Sequence, residues 1–487
     1  MTMLLFDNPH ERTDLMSLIK LILACIEIFF LIYLIGYSTF LFLSVIIGSN
    51  VFFDNNRKKL LKNEISHTDY FPISLIVPAH NESVTIIDSI NSLLTLDYTL
   101  FEIIIVDDGS TDDTSKNLIE YFKLSEVFRP IKRVLPCQDW LHIYENTPDA
   151  PIHITVIEKL NGGKADALNM GINASTYPYF ITMDADSLLQ HDALQYIMNP
   201  ILIDDTVVAV GGMIQISNDV TFSNGEVSNY CLPKKLLPCM QILEYERSFL
   251  AARLLLDSFN GNLIISGAFG LFKKEIIINI GGYDVGSMGE DMELVVKLHA
   301  FCRSNRLPYR IAYAHEAICW TQVPSHLRDL IKQRRRWHIG LFQSLMKHRK
   351  IFSNFSYGRS ASFSYFYFMI YELLSPVIEL IGFLSTLLAF YCNLLNISFM
   401  FIFFATYSVY GILLTLISFL TRNYLNQLKL TPKDIFKAIL IAIPENIILR
   451  PILSVVRMVS LLTYRAKKTQ WGNIKRYQNK TDLGETS

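Results

Sequence analysis

Residues 177–186, YPYFITMDAD, are the stretch of sequence that decides the fold. An apolar run typical of a buried strand ends in two aspartates one residue apart, Asp184 and Asp186. Because alternate residues of a strand point to the same side, both carboxylates face one way. Unpaired, they repel each other and resist burial. A divalent cation that keeps open positions for phosphate oxygens removes the repulsion, although a solvated acidic pair at a strand end is a simpler alternative.

Three more apolar runs of the same kind precede this stretch: 72–80 (PISLIVPAH), 101–109 (FEIIIVDDG) and 152–159 (IHITVIEK). Helical patterns follow them, among them 82–94 and 164–175. Near-continuous Ile and Val runs that alternate with helices predict a parallel sheet covered on both faces. Ligands of such sheets bind at the carboxyl ends of the strands, where the acidic and glycine-rich residues of this chain lie.

The motifs at these strand ends have structural as well as functional explanations. In VPAHNE (77–82), Asn81 is suited to cap a helix, and DDGS (107–110) is typical of an Asx turn. NGGKADALN (161–169) places two glycines and a lysine at a helix start, where free amides favour an anion. It is not a P-loop, because Ala165 stands where Ser or Thr would bind magnesium.

Two later motifs are also ambiguous when each is taken alone. GED (289–291) opens a helix, and acidic residues are favoured at helix N-termini for electrostatic reasons alone. QRRRW (333–337) lies within 325–348, whose cationic and apolar residues suit an amphipathic helix at a membrane interface. Residues 124–150 look irregular and receive no role.

Taken together and in order, PAHNE, DDGS, GGKADALN, DAD, GED and QRRRW resemble the membrane-embedded family 2 glycosyltransferases. These are the processive synthases of cellulose, hyaluronan, chitin and poly-N-acetylglucosamine, and the resemblance is strongest to the bacterial poly-N-acetylglucosamine synthases. It covers roughly residues 72–340. It implies an α/β GT-A fold with a mixed, mostly parallel sheet, accompanied by transmembrane helices, and inverting transfer from a UDP-sugar with Mg²⁺ or Mn²⁺.

The resemblance also implies a role for each matching position. Asp184 would lie beside the sugar and its phosphate, and Asp186 would hold the metal. Asp291 would be the general base, supported by Glu290, and Lys164 would bind the diphosphate. The nucleobase and uridine would be bound by Ala79, His80, Glu82, Asp107 and Asp108, and the acceptor end or the pyrophosphate by Gln333, Arg336 and Trp337.

Hydropathy predicts a membrane protein. Of all residues 51% are hydrophobic, and mean hydropathy is +0.28. Residues 21–48 contain one charge and exceed the about 20 residues that a span needs. Residues 365–391 and 397–420 are two further candidate spans, whereas 435–464 is interrupted by Pro444, Glu445, Arg450 and Pro451 and is interpreted as re-entrant or interfacial.

Basic clusters at 57–62, 422–429 and 464–480 would all lie on the cytoplasmic side of a three-span protein. We therefore expect a bacterial plasma-membrane protein whose catalytic domain is cytoplasmic. The expected divisions are an N-terminal anchor (1–53), a GT-A domain (54–350), two transmembrane helices (351–421) and a re-entrant segment with a basic tail (422–487).

The function expected from the resemblance is extension of a β-linked exopolysaccharide at the inner face of the membrane, with UDP-GlcNAc as the donor. The alternative is transfer of one sugar to a lipid or a lipid-linked acceptor, because His338-Ile339-Gly340-Leu341 follows QRRRW where many processive relatives carry small residues. The expected partners are the donor, the acceptor, the bilayer and an accessory membrane subunit. A net charge of −1 gives no indication of nucleic-acid binding. Glu372 and Glu379, seven residues apart, are predicted to border a glycan channel or to pack against Arg450, with interhelical hydrogen bonding as the alternative.

Overall fold

The structure is a computed structural model that describes residues 9–61, 70–223, 226–247, 252–350, 359–425, 430–464 and 480–481. Its strands are β1 (Ile73–Ala79), β2 (Phe101–Asp107), β3 (Ser125–Glu126), β4 (Trp140–Glu145), β5 (His153–Lys159), β6 (Tyr179–Met183), β7 (Leu188–Leu189), β8 (Val207–Ile216), β9 (Thr221–Ser223), β10 (Glu226–Asn229), β11 (Phe269–Lys273), β12 (Arg310–Thr321) and β13 (Lys480–Thr481).

The helices begin with a long N-terminal one and end with two near the C-terminus that a π-helical turn joins. They are α1 (Pro9–Leu61), α2 (Ile86–Leu94), α3 (Thr114–Phe122), α4 (Lys164–Ala174), α5 (Ala193–Ile203), α6 (Leu236–Tyr245), α7 (Arg253–Asp257), α8 (Lys274–Asn279), α9 (Glu290–Ser304), α10 (Leu327–Lys347), α11 (Arg359–Tyr367), α12 (Ser375–Tyr391), α13 (Ile397–Leu425), α14 (Pro432–Pro444) and α15 (Arg450–Leu462). Two π-helical turns, Phe368–Leu373 and Glu445–Leu449, precede α12 and α15.

Ten of the described strands form one sheet in the order β3-β4-β5-β2-β1-β6-β11-β8-β12-β7. β5, β2, β1 and β6 are mutually parallel, and β8 is parallel to β12. β11 lies between β6 and β8 and runs antiparallel to both, so the two parallel groups share one direction. The mixed, mostly parallel sheet implied by the resemblance is therefore confirmed.

Both faces of the sheet are covered, as the continuous apolar runs predict. On β1, Leu75 and Val77 pack in one apolar cluster with Ile86 of α2. The intervening Ile76 points to the other face and packs with Leu168 of α4. Because successive side chains of a strand alternate between faces, a buried strand of this kind has to be apolar at every position.

Residues 124–150 are less irregular than the sequence indicates. They contain β3 and β4, which extend the sheet beyond β5 by antiparallel pairing. The loop between them covers α4, where the Asn169 side chain donates to the Pro136 carbonyl at 3.1 Å and the Leu135 amide donates to Asn173 at 2.9 Å. Only Ile143 of β4 is buried, so the strand does not need the continuous apolar run of a central strand, and no such pattern is visible there.

Several helices are long and apolar enough to cross a membrane by length and composition. Three single helical segments of the described residues meet that standard: Asp14–Gly48, Ile397–Thr421 and Pro432–Leu462. Ser362–Leu373 and Ser375–Tyr391 meet it only as a pair, bent by 50°. By this standard the described residues contain three or four candidate spans. The predicted spans 21–48 and 397–420 lie in two of the single segments, whereas 365–391 meets the standard only within the bent pair. Residues 435–464, interpreted from the sequence as re-entrant or interfacial, largely coincide with the third segment.

Both ends of Pro432–Leu462 contact the domain that carries the sheet. At its beginning, Lys437 donates to the Pro233 carbonyl at 2.6 Å. Just after its end, Arg335 of α10 donates to Thr463 at 2.9 Å, and the rings of Phe342 and Tyr464 lie 5.2 Å apart. Both ends of the segment therefore lie against one domain, and a π-helical turn, Glu445–Leu449, lies between them.

Candidate active site

The ends of β1 and β2 form the first part of the site. Ala79 pairs with Asp107 across the strands, and the Asp108 amide donates to the Ala79 carbonyl at 2.9 Å. One His80 ring nitrogen lies 3.1 Å from the Asp108 carbonyl oxygen. The buried Glu82 accepts a hydrogen bond from the Thr85 hydroxyl at 3.1 Å. These contacts fix the loops that follow β1 and β2, which form one edge of the site beside the start of α4.

Neither structural explanation considered for this edge describes the contacts found. Asp107 accepts from the Ser110 amide at 2.9 Å, but Ser110 lies three residues further on, whereas an Asx turn bonds the amide two residues on. The helix-cap explanation for Asn81 is wrong, because α2 begins only at Ile86. Asn81 instead has a left-handed backbone with φ 57° and accepts from the Thr111 amide at 2.8 Å, which joins the two loops.

Asp108 holds the glycine-rich loop from inside the protein. Its carboxylate accepts from the amides of Gly162 and Gly163 at 2.9 and 2.7 Å. It also forms a 2.5 Å ion pair with Lys159, whose side chain is fully buried and lies 2.7 Å from Asp166 as well. The Asp108 carboxylate therefore occupies the two glycine amides that, from the sequence, are expected to bind an anionic ligand. Sequence reasoning missed Lys159, because a lysine in an apolar strand gives no sign of its partners.

The next group of predicted site residues consists of Lys164, at the start of α4, and the carboxylates around it. The Lys164 ammonium lies 2.5 Å from Asp184 and 3.6 Å from Glu290. Asp291 accepts from the Gly267 amide at 3.3 Å and from the Met292 amide at 2.8 Å. Gly267 belongs to SGAFG (266–270), so this loop orients the predicted base.

Burial and charge shift the pKa values of two of these groups. Burial alone would lower the pKa of Lys164, but the carboxylates of Asp184 and Glu290 outweigh it and raise that pKa above its ordinary value. Burial raises the pKa of Glu290 and outweighs the opposing effect of Lys164. Lys164 therefore stays charged and can receive a diphosphate, whereas Glu290 accepts a proton more readily than an exposed glutamate does.

Asp184 and Asp186 follow β6 directly, and their donor atoms suit a hard divalent cation. Asp184 lines the cavity described below, whereas Asp186 is 7% exposed. Nowhere in the described ranges do three or more His, Cys, Asp or Glu side chains group around a possible metal position. Only Asp184 of the pair lines the cavity, and its carboxylate lies 2.5 Å from the Lys164 ammonium. A cation at this position would depend on ligands other than protein side chains, and its binding by Asp184 and Asp186 stays a prediction.

A cavity of about 290 Å³ joins these groups to α10. Gln333, Arg336 and Trp337 line it, and the Arg334 guanidinium lies 4.4 Å from the centre of the Trp337 ring while it donates to Glu244 at 2.8 Å. Sequence reasoning missed Arg334, which fixes the tryptophan through a cation–π contact. Glu372 and Arg457, which belong to the apolar segments after the sheet domain, also line the cavity. The predicted site residues that line it are Lys164, Asp184, Glu290, Asp291, Gln333, Arg336 and Trp337.

The structure thus divides the predicted site residues into two neighbouring groups. The diphosphate, base and acceptor residues share the cavity with Lys164. The nucleobase residues on β1 and β2 lie on the other side of the loop that Asp108 holds, and they do not line the cavity. No sequence signal marks Arg457, because it lies in an apolar segment far along the chain from every motif.

Comparison with known proteins agrees with this arrangement. The pattern described as glycosyltransferase like family 2 matches residues 138–340, and that of glycosyl transferase family 2 matches residues 74–136. The chain belongs to glycosyltransferase family 2. The matched residues of this family 2 chain include every predicted site residue.

Named relatives of this glycosyltransferase family 2 member include two staphylococcal synthases. A poly-beta-1,6-N-acetyl-D-glucosamine synthase of Staphylococcus epidermidis is 30% identical over 321 residues, which are 65% of this chain and 66% of that protein. The synthase of the same name from Staphylococcus aureus strain COL is 30% identical over 319 residues, with the same two shares. The chain thus spans 66% of the length of these curated relatives.

A solved structure shows the same fold. A mannosyltransferase from Pyrobaculum calidifontis, in complex with GDP-Man and Mn²⁺, superposes with a TM-score of 0.51 at 16% identity and covers 85% of this chain and 99% of its own. The likeness supports the GT-A fold for this family 2 chain.

Proposed function

We propose that this chain is an inverting glycosyltransferase that transfers a sugar from a UDP-sugar to a β-linked glycan. The observation that carries the proposal is the cavity in which Lys164, Asp184 and Asp291 face Gln333 and Trp337 of α10. The residues proposed to bind the diphosphate, to act as the base and to bind the acceptor therefore lie next to one another. UDP-GlcNAc is the proposed donor, because the staphylococcal relatives are named for a polymer of N-acetylglucosamine.

The reaction needs a base and a stabilised leaving group. Asp291 takes the proton of the acceptor hydroxyl as its oxygen attacks the anomeric carbon. The bond from that carbon to the phosphate oxygen breaks, and UDP leaves with its electrons. Lys164, kept charged by its carboxylate neighbours, stabilises the charge that develops on the diphosphate.

The remaining site residues have proposed binding roles. Gln333, Arg336 and Trp337 bind the acceptor end or the pyrophosphate. Asp186 and Asp184 would hold Mg²⁺ or Mn²⁺, which would supply further charge stabilisation at the diphosphate when bound. The nucleobase and uridine are proposed to lie against the edge formed by Ala79, His80, Glu82, Asp107 and Asp108.

We propose that the catalytic domain is cytoplasmic and that the chain crosses a bacterial plasma membrane three times. The supporting contacts are those at both ends of Pro432–Leu462, which favour a re-entrant or interfacial element. The pairing of β13 with β9 keeps Lys480–Thr481 on the domain's side as well. Orientation by basic clusters stays a prediction, since most of their side chains lie outside the described residues. The four divisions at 1–53, 54–350, 351–421 and 422–487 stay a proposal too.

UDP release by inside-out membrane vesicles tests the proposed function. We expect release with UDP-GlcNAc, dependent on added Mg²⁺ or Mn²⁺, when single UDP-sugars are offered in turn. Release with another sugar alone would keep the enzyme class and overturn the donor. Absence of release with every donor, in vesicles that also contain a candidate acceptor and accessory subunit, would contradict the proposal. A product extractable into organic solvent would favour the alternative, transfer of one sugar to a lipid.

Passage of a growing glycan past Glu372 is a second testable element of the proposal. Glu372 lines the cavity, and Glu379 accepts from Ser454 at 2.5 Å. The 50° bend between them means that they do not share the face of one straight helix. Arg450 lies 3.4 Å from Glu445 and thus has another carboxylate partner. Glu379 thus makes an interhelical hydrogen bond, which is the alternative expected from the sequence, and channel lining is proposed for Glu372 alone.

We expect the double variant Glu372→Gln and Glu379→Gln to give shorter polymer and a several-fold lower yield, since intramembrane carboxylates usually face a wet cavity or a protein partner. Product length is measured by gel electrophoresis of labelled polymer. Glu27→Gln, an exposed carboxylate of α1, serves as the matched control. Unchanged length and yield in the double variant would rule out a channel role.

A further inference from the structure

One face of α10 contacts the turn that carries the predicted base. Gln333, Arg336, Gly340, Gln343 and Lys347 recur at intervals of three and four residues, which places them on one side of a helix. The first two line the cavity, and the other three contact residues at or near the start of α9. The same helix face therefore holds both the acceptor residues and the catalytic turn.

The closest of these contacts is between two glycines. A β-carbon built on Gly340 would lie 2.6 Å from the backbone nitrogen and α-carbon of Gly289. A β-carbon on Gly289 would lie 2.9 Å from the α-carbon of Gly340. Backbone atoms cannot rotate away as a side chain can, so any larger residue would push the helix and the turn apart. A glycine inside a helix costs about 1 kcal/mol relative to alanine, and this close approach gives a reason for one at position 340.

Gln343, one turn further along, holds the same turn by a hydrogen bond. Its side-chain oxygen accepts from the Met288 amide at 2.9 Å. Met288 and Gly289 immediately precede Glu290 and Asp291, and Gly289 is the residue before α9. Displacement of this turn would move both carboxylates relative to the residues of α10.

Ion pairs beyond Gln343 anchor the two helices. Lys347 lies 2.7 Å from the carboxylate of Glu293, which is almost fully buried, and also pairs with Asp284. His348 lies 3.2 Å from Glu293. These contacts hold the end of α10 against the first turn of α9, so the glycine contact and the Gln343 hydrogen bond act on a helix pair that is already fixed.

We propose that Gly340 and Gln343 are positioning residues for the transfer reaction, which hold the turn before α9 so that Asp291 meets the acceptor hydroxyl bound by α10. The inference rests on the proposed function. It assigns a role to Gly340, the one small residue of His338-Ile339-Gly340-Leu341 after QRRRW. The two residues act on the base through the backbone of 288–289 and touch neither substrate.

Kinetics of Gln343→Leu test the proposal most directly. We expect kcat to fall by about tenfold to a hundredfold, because a displacement of about 1 Å at a reacting group has that effect. The KM for the donor should stay within about twofold, because the residues proposed to contact the nucleobase, the uridine and the sugar phosphate lie outside α10 and outside the turn before α9. Gln343→Glu keeps an oxygen acceptor for the Met288 amide, and it should retain kcat within about threefold of wild type. Gly340→Ala should reproduce the loss in kcat.

Lys332→Ala, an exposed position on another face of α10, is the control and should leave kcat unchanged. Size-exclusion profiles and thermal unfolding of each purified variant in detergent establish that it is folded. An unchanged kcat in folded Gln343→Leu would overturn the inference, as would failure of Gln343→Glu to restore activity or an equal loss in donor affinity. Wild-type protein inactive with every donor would instead overturn the proposed function and this inference with it.

Discussion

Replacement of Asp291 by asparagine is expected to lower the rate of sugar transfer by about 10²–10⁴-fold, the usual contribution of a general base. The amide keeps the size of the side chain, and its oxygen can still accept from the Met292 amide. Its NH₂ group cannot accept from the Gly267 amide, which the second carboxylate oxygen of Asp291 does at 3.3 Å. The asparagine side chain cannot take the proton of the acceptor hydroxyl. The rate should be measured as UDP release from the proposed donor at saturating metal, with purified protein or vesicles of matched protein content.

Binding of the donor should survive the same substitution. The residues proposed to contact the nucleobase, the uridine and the sugar phosphate lie at the ends of β1, β2 and β6 and at the start of α4. None of them bonds to the Asp291 side chain in the described contacts. Asp149→Asn, at an exposed loop position, is the matched control and should retain full activity. Near-normal turnover by Asp291→Asn would show that Asp291 is not the base. Glu290, whose raised pKa also suits proton acceptance, would then be the candidate for that role.

The fold could be predicted from local sequence where single strands are buried on both sides. The runs before Ala79, Asp107 and Asp184 are apolar at successive positions, and each is a strand that ends where the motif begins. The insertion of β11 between β6 and β8 could not be predicted in this way. It depends on pairing between residues some ninety positions apart, and nothing in the FGLFK run specifies its neighbours.

The candidate site was predictable to the extent that its residues lie at strand ends and helix starts. Lys164, Asp184 and Asp291 belong to local motifs, and the structure brings all three to one cavity. Lys159 and Arg457 carry no motif, because their partners are distant in sequence and the apolar segments around them hide their charge. Buried charge clusters of this kind are visible only once the fold brings the partners together.

Lys159→Met is expected to lower the free energy of unfolding by about 3–5 kcal/mol, the usual effect of removing one partner of a buried ion pair. The Lys159 side chain is fully buried between two carboxylates that are each 5% exposed. Methionine fills similar space but leaves Asp108 and Asp166 facing each other without a cation. The midpoint of thermal unfolding in detergent, followed by intrinsic fluorescence, should therefore fall by several degrees.

A second substitution should restore part of the stability that Lys159→Met loses, which distinguishes an effect of charge from an effect of packing. Adding Asp166→Asn to Lys159→Met removes one of the two uncompensated carboxylates and keeps an oxygen that can accept from the Gln138 amide. We expect the double variant to be more stable than Lys159→Met alone. Lys132→Met, at an exposed position, should leave the unfolding midpoint unchanged. A double variant no more stable than the single one would show that the loss of stability comes from packing and that the carboxylates tolerate the loss of their cation. Asp108 would then hold the glycine loop through its two amide contacts alone.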